Sequence, residues 1–257
     1  MSINSNIPEI EVKNLAVGYN NNVILQNLNF TINQGEIVAI MGGSGCGKST
    51  LLKRIIGLHD PISGDILIRG KSIVHASPKE KREIMRSFGV TYQGGALFGS
   101  MTVGENIALP LQEYTNYSKE EIDQIVKEKL ALVDLADYDS YMPSELSGGM
   151  CKRAGLARAL ALNPSLLFFD EPSAGLDPIT SAHLDKLILS LKERFNVTIV
   201  IVSHELDSIF TVADRAIMLD KETKTIAEIG SPEEMRKNSQ NPWVKEFLNR
   251  AGLKRKE

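Results

Sequence analysis

Apolar and polar residues alternate in two stretches near the start of the chain, Ile10 to Val17 and Leu25 to Ile32. In the second, Leu28, Phe30 and Ile32 fall two apart, the period of a strand with one buried face, so the pair reads as antiparallel sheet. Asn20-Asn21-Asn22 between them reads as a turn. Glu36 to Met41 is a short apolar run that stops in a cluster of glycines, Lys48 to Leu58 has helical character, and Asp65 to Arg69 resumes a strand. Further on, the apolar runs Ser165 to Asp170, Val197 to Ser203 and Arg215 to Asp220 alternate with a helix marked by Leu184, Leu187, Ile188 and Leu191 and with a short helix after Ser203. Continuous, β-branched strands joined by helices imply a parallel sheet covered on both faces.

Helix starts are written into several segments. Ser77-Pro78-Lys79-Glu80, Ser118-Lys119-Glu120-Glu121 and Ser231-Pro232-Glu233-Glu234 each have the form of a capping box. After Ser118, the residues Ile122, Ile125, Val126, Leu130 and Val133 share one helical face, a stripe best explained by core packing. The mostly helical stretch from about 95 to 163 interrupts the strand–helix alternation, which resumes after it. The pattern therefore predicts one α/β domain over residues 1–257. Its core covers about 1–94 and 164–240, a helical insertion covers about 95–163, and a helix or tail with a basic end (Lys254, Arg255, Lys256) covers about 241–257.

Composition removes several classes. The chain has 257 residues, 42% of them hydrophobic, with 29 Lys+Arg against 32 Asp+Glu and a formal charge of -3. That balance argues against a general affinity for nucleic acid, which needs a basic surface to displace counterions. The apolar runs are strand-sized, well short of the ~18 residues of a membrane-spanning helix. The opening MSINSNIPEIEVK lacks the basic-then-apolar layout of a signal peptide. Two cysteines make no disulfide framework, so a reducing compartment is expected.

The candidate chemistry is phosphate chemistry. Gly42-Gly43-Ser44-Gly45-Cys46-Gly47-Lys48-Ser49-Thr50 fits the pattern Gly, four residues, Gly, Lys, Ser/Thr between a strand and a helix. Its glycines let amides turn toward phosphate, and the helix adds its positive end. Lys48 would lie along the β- and γ-phosphates, and the Ser49 hydroxyl would ligate Mg²⁺. Cys46 serves there as a small residue. Leu166-Leu167-Phe168-Phe169-Asp170-Glu171 is an apolar strand ending in two acids, at the sheet edge where ligands bind. Asp170 is expected to hold Mg²⁺, and Glu171 to orient and polarise the attacking water.

Leu146-Ser147-Gly148-Gly149 before a long helix, then Asp170-Glu171-Pro172, Ser173-Ala174-Gly175-Leu176-Asp177 and His204, resemble in order the motifs of the ATP-binding cassette (ABC) family. The resemblance covers nearly the whole chain. It implies an ABC-type P-loop NTPase core, with a mostly parallel sheet, N-terminal antiparallel strands and an inserted helical subdomain. It also implies Mg²⁺-dependent ATP hydrolysis in a head-to-tail pair, each ATP lying between one phosphate loop and the opposite Ser147-Gly148-Gly149. Asp177 would cross that interface, Gln93 would touch Mg²⁺ and the attacking water, His204 would meet the γ-phosphate, and Tyr19 would stack on adenine. Met150 departs from the family's glutamine and cannot donate an amide hydrogen bond.

This variant is similar to the ATPases of the Mla/MCE (mammalian cell entry) phospholipid transporters, as are Met142-Pro143-Ser144-Glu145, Asp177-Pro178-Ile179-Thr180, Tyr92-Gln93-Gly94-Gly95-Ala96-Leu97-Phe98 and Asn106-Ile107-Ala108-Leu109-Pro110-Leu111. That branch implies an integral-membrane permease, an MCE-type lipid-binding protein and a small STAS-type subunit as partners, no nucleic acid, and a place at the cytoplasmic face of a bacterial inner membrane. Ala96, Leu97, Phe98 and Met101 fit the surface where a permease would dock, and equally fit core packing. An ATPase of another importer or lipoprotein-releasing system, a soluble ABC ATPase, and a non-hydrolysing ATP-binding module are the competing readings.

Overall fold

A computed structural model of the protein describes residues 7–20 and 22–249. The first third holds β1 (Ile10–Tyr19), β2 (Asn22–Ile32), β3 (Ile37–Gly42), α1 (Lys48–Ile55), β4 (Ser63–Ile68), β5 (Lys71–Ser72), α2 (Pro78–Arg86) and β6 (Phe88–Thr91). Three helices follow, α3 (Val103–Tyr114), α4 (Lys119–Leu132) and α5 (Gly148–Ala159). The remainder alternates β7 (Leu166–Asp170), α6 (Pro178–Phe195), β8 (Thr198–Val202), α7 (Leu206–Val212), β9 (Arg215–Asp220), β10 (Thr225–Gly230), α8 (Pro232–Asn238) and α9 (Pro242–Asn249).

The strands form two sheets. An antiparallel one has the order β2-β1-β4-β5, and a six-stranded one has the order β10-β9-β3-β8-β7-β6, parallel from β9 to β6 with β10 antiparallel at its edge. The continuous apolar strands are explained by cover on both faces. Along β7, Leu166 and Phe168 enter the layer between the two sheets with Ile10, Leu28, Val38, Ile40 and Val200. Leu167 and Phe169 point the other way, into a second layer with Ile107, Leu130, Leu156 and Ile188 from α3, α4, α5 and α6. A third cluster packs Ala39 and Met41 against α7, α8 and α9. Of the predicted stripe, Ile122, Val126, Leu130 and Val133 are buried, and Ile125 is partly buried against the same layer.

The parallel register puts four loops at one edge. Ile40 pairs with Val202, Asp170 with Val202, and Thr91 with Phe169, so the turns after β3, β6, β7 and β8 all open on the same side.

Several expectations are corrected in detail. The helix from Lys48 stops at Ile55, because Gly57 turns with φ 73° and leaves Leu58 exposed. Arg69 has φ 49° and belongs to the turn after β4. Ser77 and Ser118 form capping boxes, whereas the Ser231 side chain makes no capping hydrogen bond. β10, which pairs with the predicted β9, and the two-residue β5 are elements that periodicity did not reveal. Asn21 and the basic end Lys254, Arg255 and Lys256 lie outside the described residues. Among those described, no helix is long and apolar enough to cross a membrane.

Candidate functional site

The site grows out of β3, all six of whose residues are buried. Gly42, at its end, has φ 148°, and a Cβ there would lie 2.4 Å from the Leu219 carbonyl oxygen of the neighbouring strand. Gly47 has φ 104° and precedes α1 with no side-chain cap, which leaves the first amides of that helix free to face a phosphate. The Lys48 ammonium folds back across the loop, donating to the Gly42 carbonyl at 2.8 Å and the Gly43 carbonyl at 3.3 Å. Cys46 is buried, and burial pushes its thiol above the ordinary range, which makes it inert packing.

A cavity of about 740 Å³ opens over this loop, lined by Gly42 to Gly45, Gly47 to Thr50, Glu171 and His204, with Glu205, Leu206, Asp207, Ile24 and Phe247 completing the walls. Glu171 follows β7 in a left-handed conformation, φ 50°, pinned by its amide to the Val202 carbonyl at 2.8 Å. One carboxylate oxygen meets His204 Nδ1 at 2.8 Å and the other accepts from the Ser203 hydroxyl at 3.2 Å. The carboxylate is thus held from both sides at the cavity wall. His204 itself is exposed, two residues beyond the buried strand that the apolar run predicted.

Asp170 is half-buried beside it. Burial, and then the Glu171 charge, push its carboxyl above the usual range, while Lys53 and Lys48 oppose the shift. Its Oδ1 is buried without a hydrogen-bond partner. An orphaned carboxylate oxygen with a raised pKa fits a hard cation, for which oxygen donors are the rule. Among the described residues, no group of three or more His, Cys, Asp or Glu side chains is placed to hold a metal ion by itself. A Mg²⁺ here would therefore depend on Asp170, the Ser49 hydroxyl and oxygens of the nucleotide.

The other predicted residues are not in this cavity. Gln93 is exposed, two residues past β6, and is not among the lining side chains. Tyr19 is 44% exposed, with the Arg54 guanidinium 4.4 Å from its ring centre and the His59 ring edge-on. The neighbouring Arg54 side chain, and then the Thr50 hydroxyl, hold its phenol below the ordinary range. Asp177 caps α6, accepting from the Ile179 and Thr180 amides at 3.0 Å, and the Thr180 hydroxyl holds its carboxyl below the usual range.

Ser147 caps α5, accepting from the Met150 amide at 3.3 Å, and is exposed with Gly148 beside it. With Gly149 it borders a separate cavity of about 200 Å³ that also includes Met150, Arg153, Leu176, Thr180, His183 and Leu184. Met150 packs against the second core layer. That gives a reason for methionine at a position where an amide would be partly buried. The single chain therefore unites the phosphate loop with Glu171 and His204, and leaves Ser147-Gly148-Gly149 outside.

Sequence reasoning missed three contributors. Phe247 reaches the cavity from α9, some two hundred positions after the phosphate loop, and no local pattern announces it. Ser203 escaped notice as a strand end, although its hydroxyl holds Glu171. Lys152, which no motif singles out, bridges α5 to the backbone after Glu171.

Known proteins share this arrangement. The ABC transporter family model matches residues 25–174. The chain is 45% identical over 240 residues to the probable ribonucleotide transport ATP-binding protein mkl of Mycobacterium tuberculosis, covering 93% of this chain and 66% of that one. It is 44% identical over 239 residues to the intermembrane phospholipid transport system ATP-binding protein MlaF of Haemophilus influenzae, covering 93% of this chain and 89% of the relative. The chain thus spans 66% of the length of the mycobacterial relative and most of the length of the other. Among solved structures, cbiO1 of Clostridium perfringens superposes with a TM-score of 0.82 at 29% identity, covering 96% of this chain and 98% of that one. A dimeric ATP-binding cassette bound to ADP and Pi superposes with a TM-score of 0.79 at 31% identity, covering 86% and 98%. The phosphate loop and the acid-ended strand lie on a fold that these cassettes share over nearly their whole length, and the chain belongs to the ABC transporter family.

Proposed function

We propose that this chain is the ATP-hydrolysing subunit of a transporter, working as a head-to-tail pair that drives a separate membrane permease. One observation carries this reading: Ser147-Gly148-Gly149, an exposed helix start whose cap is its own Ser147 hydroxyl on the Met150 amide, borders a cavity separate from the one over the phosphate loop of its own chain. A second copy supplies the missing partner, so that each triphosphate is held by one chain's loop and the other chain's α5. A dimeric cassette bound to ADP and Pi among the structural neighbours supports a two-copy assembly.

Within each site, the loop amides and α1 bind the phosphates, and Lys48 moves from the Gly42 and Gly43 carbonyls onto the β- and γ-phosphates. Glu171, oriented by His204 and Ser203, takes a proton from the water whose oxygen attacks the γ-phosphorus, and the bond to ADP breaks. Asp170 and the Ser49 hydroxyl would hold Mg²⁺, which would supply neutralisation of phosphate charge. Gln93 and Tyr19 join the site when the nucleotide and the second copy complete it, Gln93 at the water and metal and Tyr19 on the base. Asp177 faces the partner copy. Loss of the shared γ-phosphate lets the pair separate, with the helices of about 95–163 moving against the core of about 1–94 and 164–240.

The client is a phospholipid system at the cytoplasmic face of a bacterial inner membrane, with an MCE-type lipid-binding protein and a small STAS-type subunit. This rests on the MlaF relative, most of whose length the chain covers, and on the resemblance of Leu146-Ser147-Gly148-Gly149-Met150 to that branch. Purification from membranes is expected to bring down a multi-span permease and an MCE protein. Recovery with a ribonucleotide-transporting permease, as the mycobacterial relative's description would suggest, overturns the lipid assignment. Glu171→Gln is expected to keep ATP binding, lose turnover and accumulate an ATP-bound dimer, and normal turnover would remove Glu171 from the chemistry.

A further inference from the structure

Helix α5 is tied to three separate segments by three cations. Arg153 donates to the carbonyls of Val133 and Asp134 at the end of α4, at 2.8 and 3.0 Å. Arg158 donates to the carbonyls of Ala96 and Gly95, at 2.8 and 3.3 Å. Lys152 points its ammonium into the turn after β7, donating to the carbonyls of Pro172 at 2.8 Å, Ala174 at 2.5 Å and, more weakly, Glu171 at 3.5 Å. An ammonium has three donor hydrogens, and three carbonyls of one short turn converge on it. The helix is also pressed directly on the segment after β6: a Cβ at Gly155 would lie 2.7 Å from the Gly95 carbonyl oxygen.

The turn that Lys152 grips begins with a strained residue. Glu171 has φ 50°, and the turn is otherwise braced by the Glu171 amide on Val202 and by the Ala174 amide on the Glu171 carbonyl, at 3.3 Å. A non-glycine residue persists in the left-handed region only when its surroundings hold it there. Lys152 is five residues from Ser147, on the helix whose exposed start awaits the other copy's triphosphate. The same rigid helix therefore touches a donor surface for one ATP and the backbone that aims the water-activating carboxylate at the other.

We infer that Lys152 is a positioning residue that couples the two ATP sites, transmitting engagement of the partner's triphosphate at Ser147-Gly148 through α5 into the backbone carrying Glu171. The inference rests on the two-copy reading proposed above. Lys152 touches neither nucleotide nor water. Its effect is on the population of turns in which Glu171 is aimed for proton abstraction, so its loss uncouples the sites without emptying them.

The test is steady-state hydrolysis by the full chain across a range of ATP concentrations, with nucleotide binding to the separated copies measured by a fluorescent ATP analogue. The unaltered protein is expected to show cooperative dependence, with a Hill coefficient approaching the two sites present. Lys152→Met keeps the apolar stem and removes the donors. It is expected to lower kcat about tenfold, bring the Hill coefficient to about one and leave analogue affinity unchanged. Lys152→Arg is expected to restore cooperativity, since a guanidinium can serve the same carbonyls. A merely structural staple would lower the melting temperature and the active fraction while leaving the Hill coefficient as it was, and that result overturns the inference. Should Lys152→Met not fold, Lys152→Gln, with two donor hydrogens, must show the same pattern in smaller measure, and unchanged cooperativity there overturns the inference equally. A non-cooperative unaltered protein that forms no ATP-dependent dimer overturns the two-copy reading itself, and the inference with it.

Discussion

Glu171 is oriented by its neighbours. The left-handed backbone that aims it costs a non-glycine residue on the order of 1–3 kcal/mol. That cost is offset locally by an amide bond to Val202, by the Ser203 hydroxyl, by His204 and by the carbonyls clasped by Lys152. Legibility from sequence was uneven at this scale. Asp170 and Glu171 could be read because an apolar strand must end where the carboxylates stand, whereas the holders of Glu171 come from β8 and α5, and only folding makes them neighbours.

A second buried acid offers a test of how carboxylates are tolerated here. Asp185 on α6 is 6% exposed and hydrogen-bonded by the Ser208 hydroxyl on α7, and burial pushes its carboxyl above the usual range against that bond. A carboxyl whose folded pKa is raised is destabilising while charged, and the penalty disappears as pH falls below its unfolded value of about 3.9. Asp185→Asn keeps an acceptor for Ser208 and removes the charge. Its melting temperature is expected to exceed that of the unaltered protein near neutral pH and to converge with it toward pH about 4. A difference that does not change with pH would show that the charge is not what costs stability.

At the scale of the element, identical sequence signals had different outcomes. Ser77, Ser118 and Ser231 all precede an acid three residues on, yet only the first two have reciprocal bonds with it. Ser231 has a different task, because β10 ends at Gly230 and the chain must turn at once into α8, whose Met235 packs beneath Gly230 in the third core layer. Ser118→Ala is therefore expected to cost about 1 kcal/mol in chemical denaturation, and Ser231→Ala only a few tenths. Equal losses would mean that the Ser231 cap forms in solution after all. The strands were legible as a class, since continuous apolar runs require cover on both faces. β10 was not, because none of its residues is fully buried and it shows neither regular alternation nor an apolar run.

For the whole molecule, the consequence of the fold is that one copy is incomplete. Four loops converge on one sheet edge, while the start of α5 lies outside the resulting cavity. Gly148 gives a clean probe of what lies opposite. Nothing stands within 4 Å of the place a Cβ would occupy there, so the chain's own fold accepts a side chain. Gly148→Val is expected to melt with the unaltered protein and bind nucleotide as well. It should nevertheless fail to dimerise with ATP, and its hydrolysis should fall on the order of a hundredfold, because the added methyl groups occupy the space of a facing γ-phosphate. Unimpaired hydrolysis by this variant would mean that no triphosphate docks on α5.

What the linear chain determined by itself was everything whose physics is local. The glycine loop needs only backbone freedom next to a strand and a helix start. The acid pair needs only an apolar run to carry it to an edge, and the layered α/β architecture follows from runs of β-branched residues alternating with amphipathic helices. Tertiary structure alone decided which of these residues meet. The parallel register carried His204 and Ser203 to Glu171, the packing of α9 brought Phe247 over the phosphate loop, and α5 came to lie where Lys152 could reach the turn beyond β7. Contacts between residues far apart in the chain depend on strand order and helix placement, and those emerge only when all the buried faces are satisfied together.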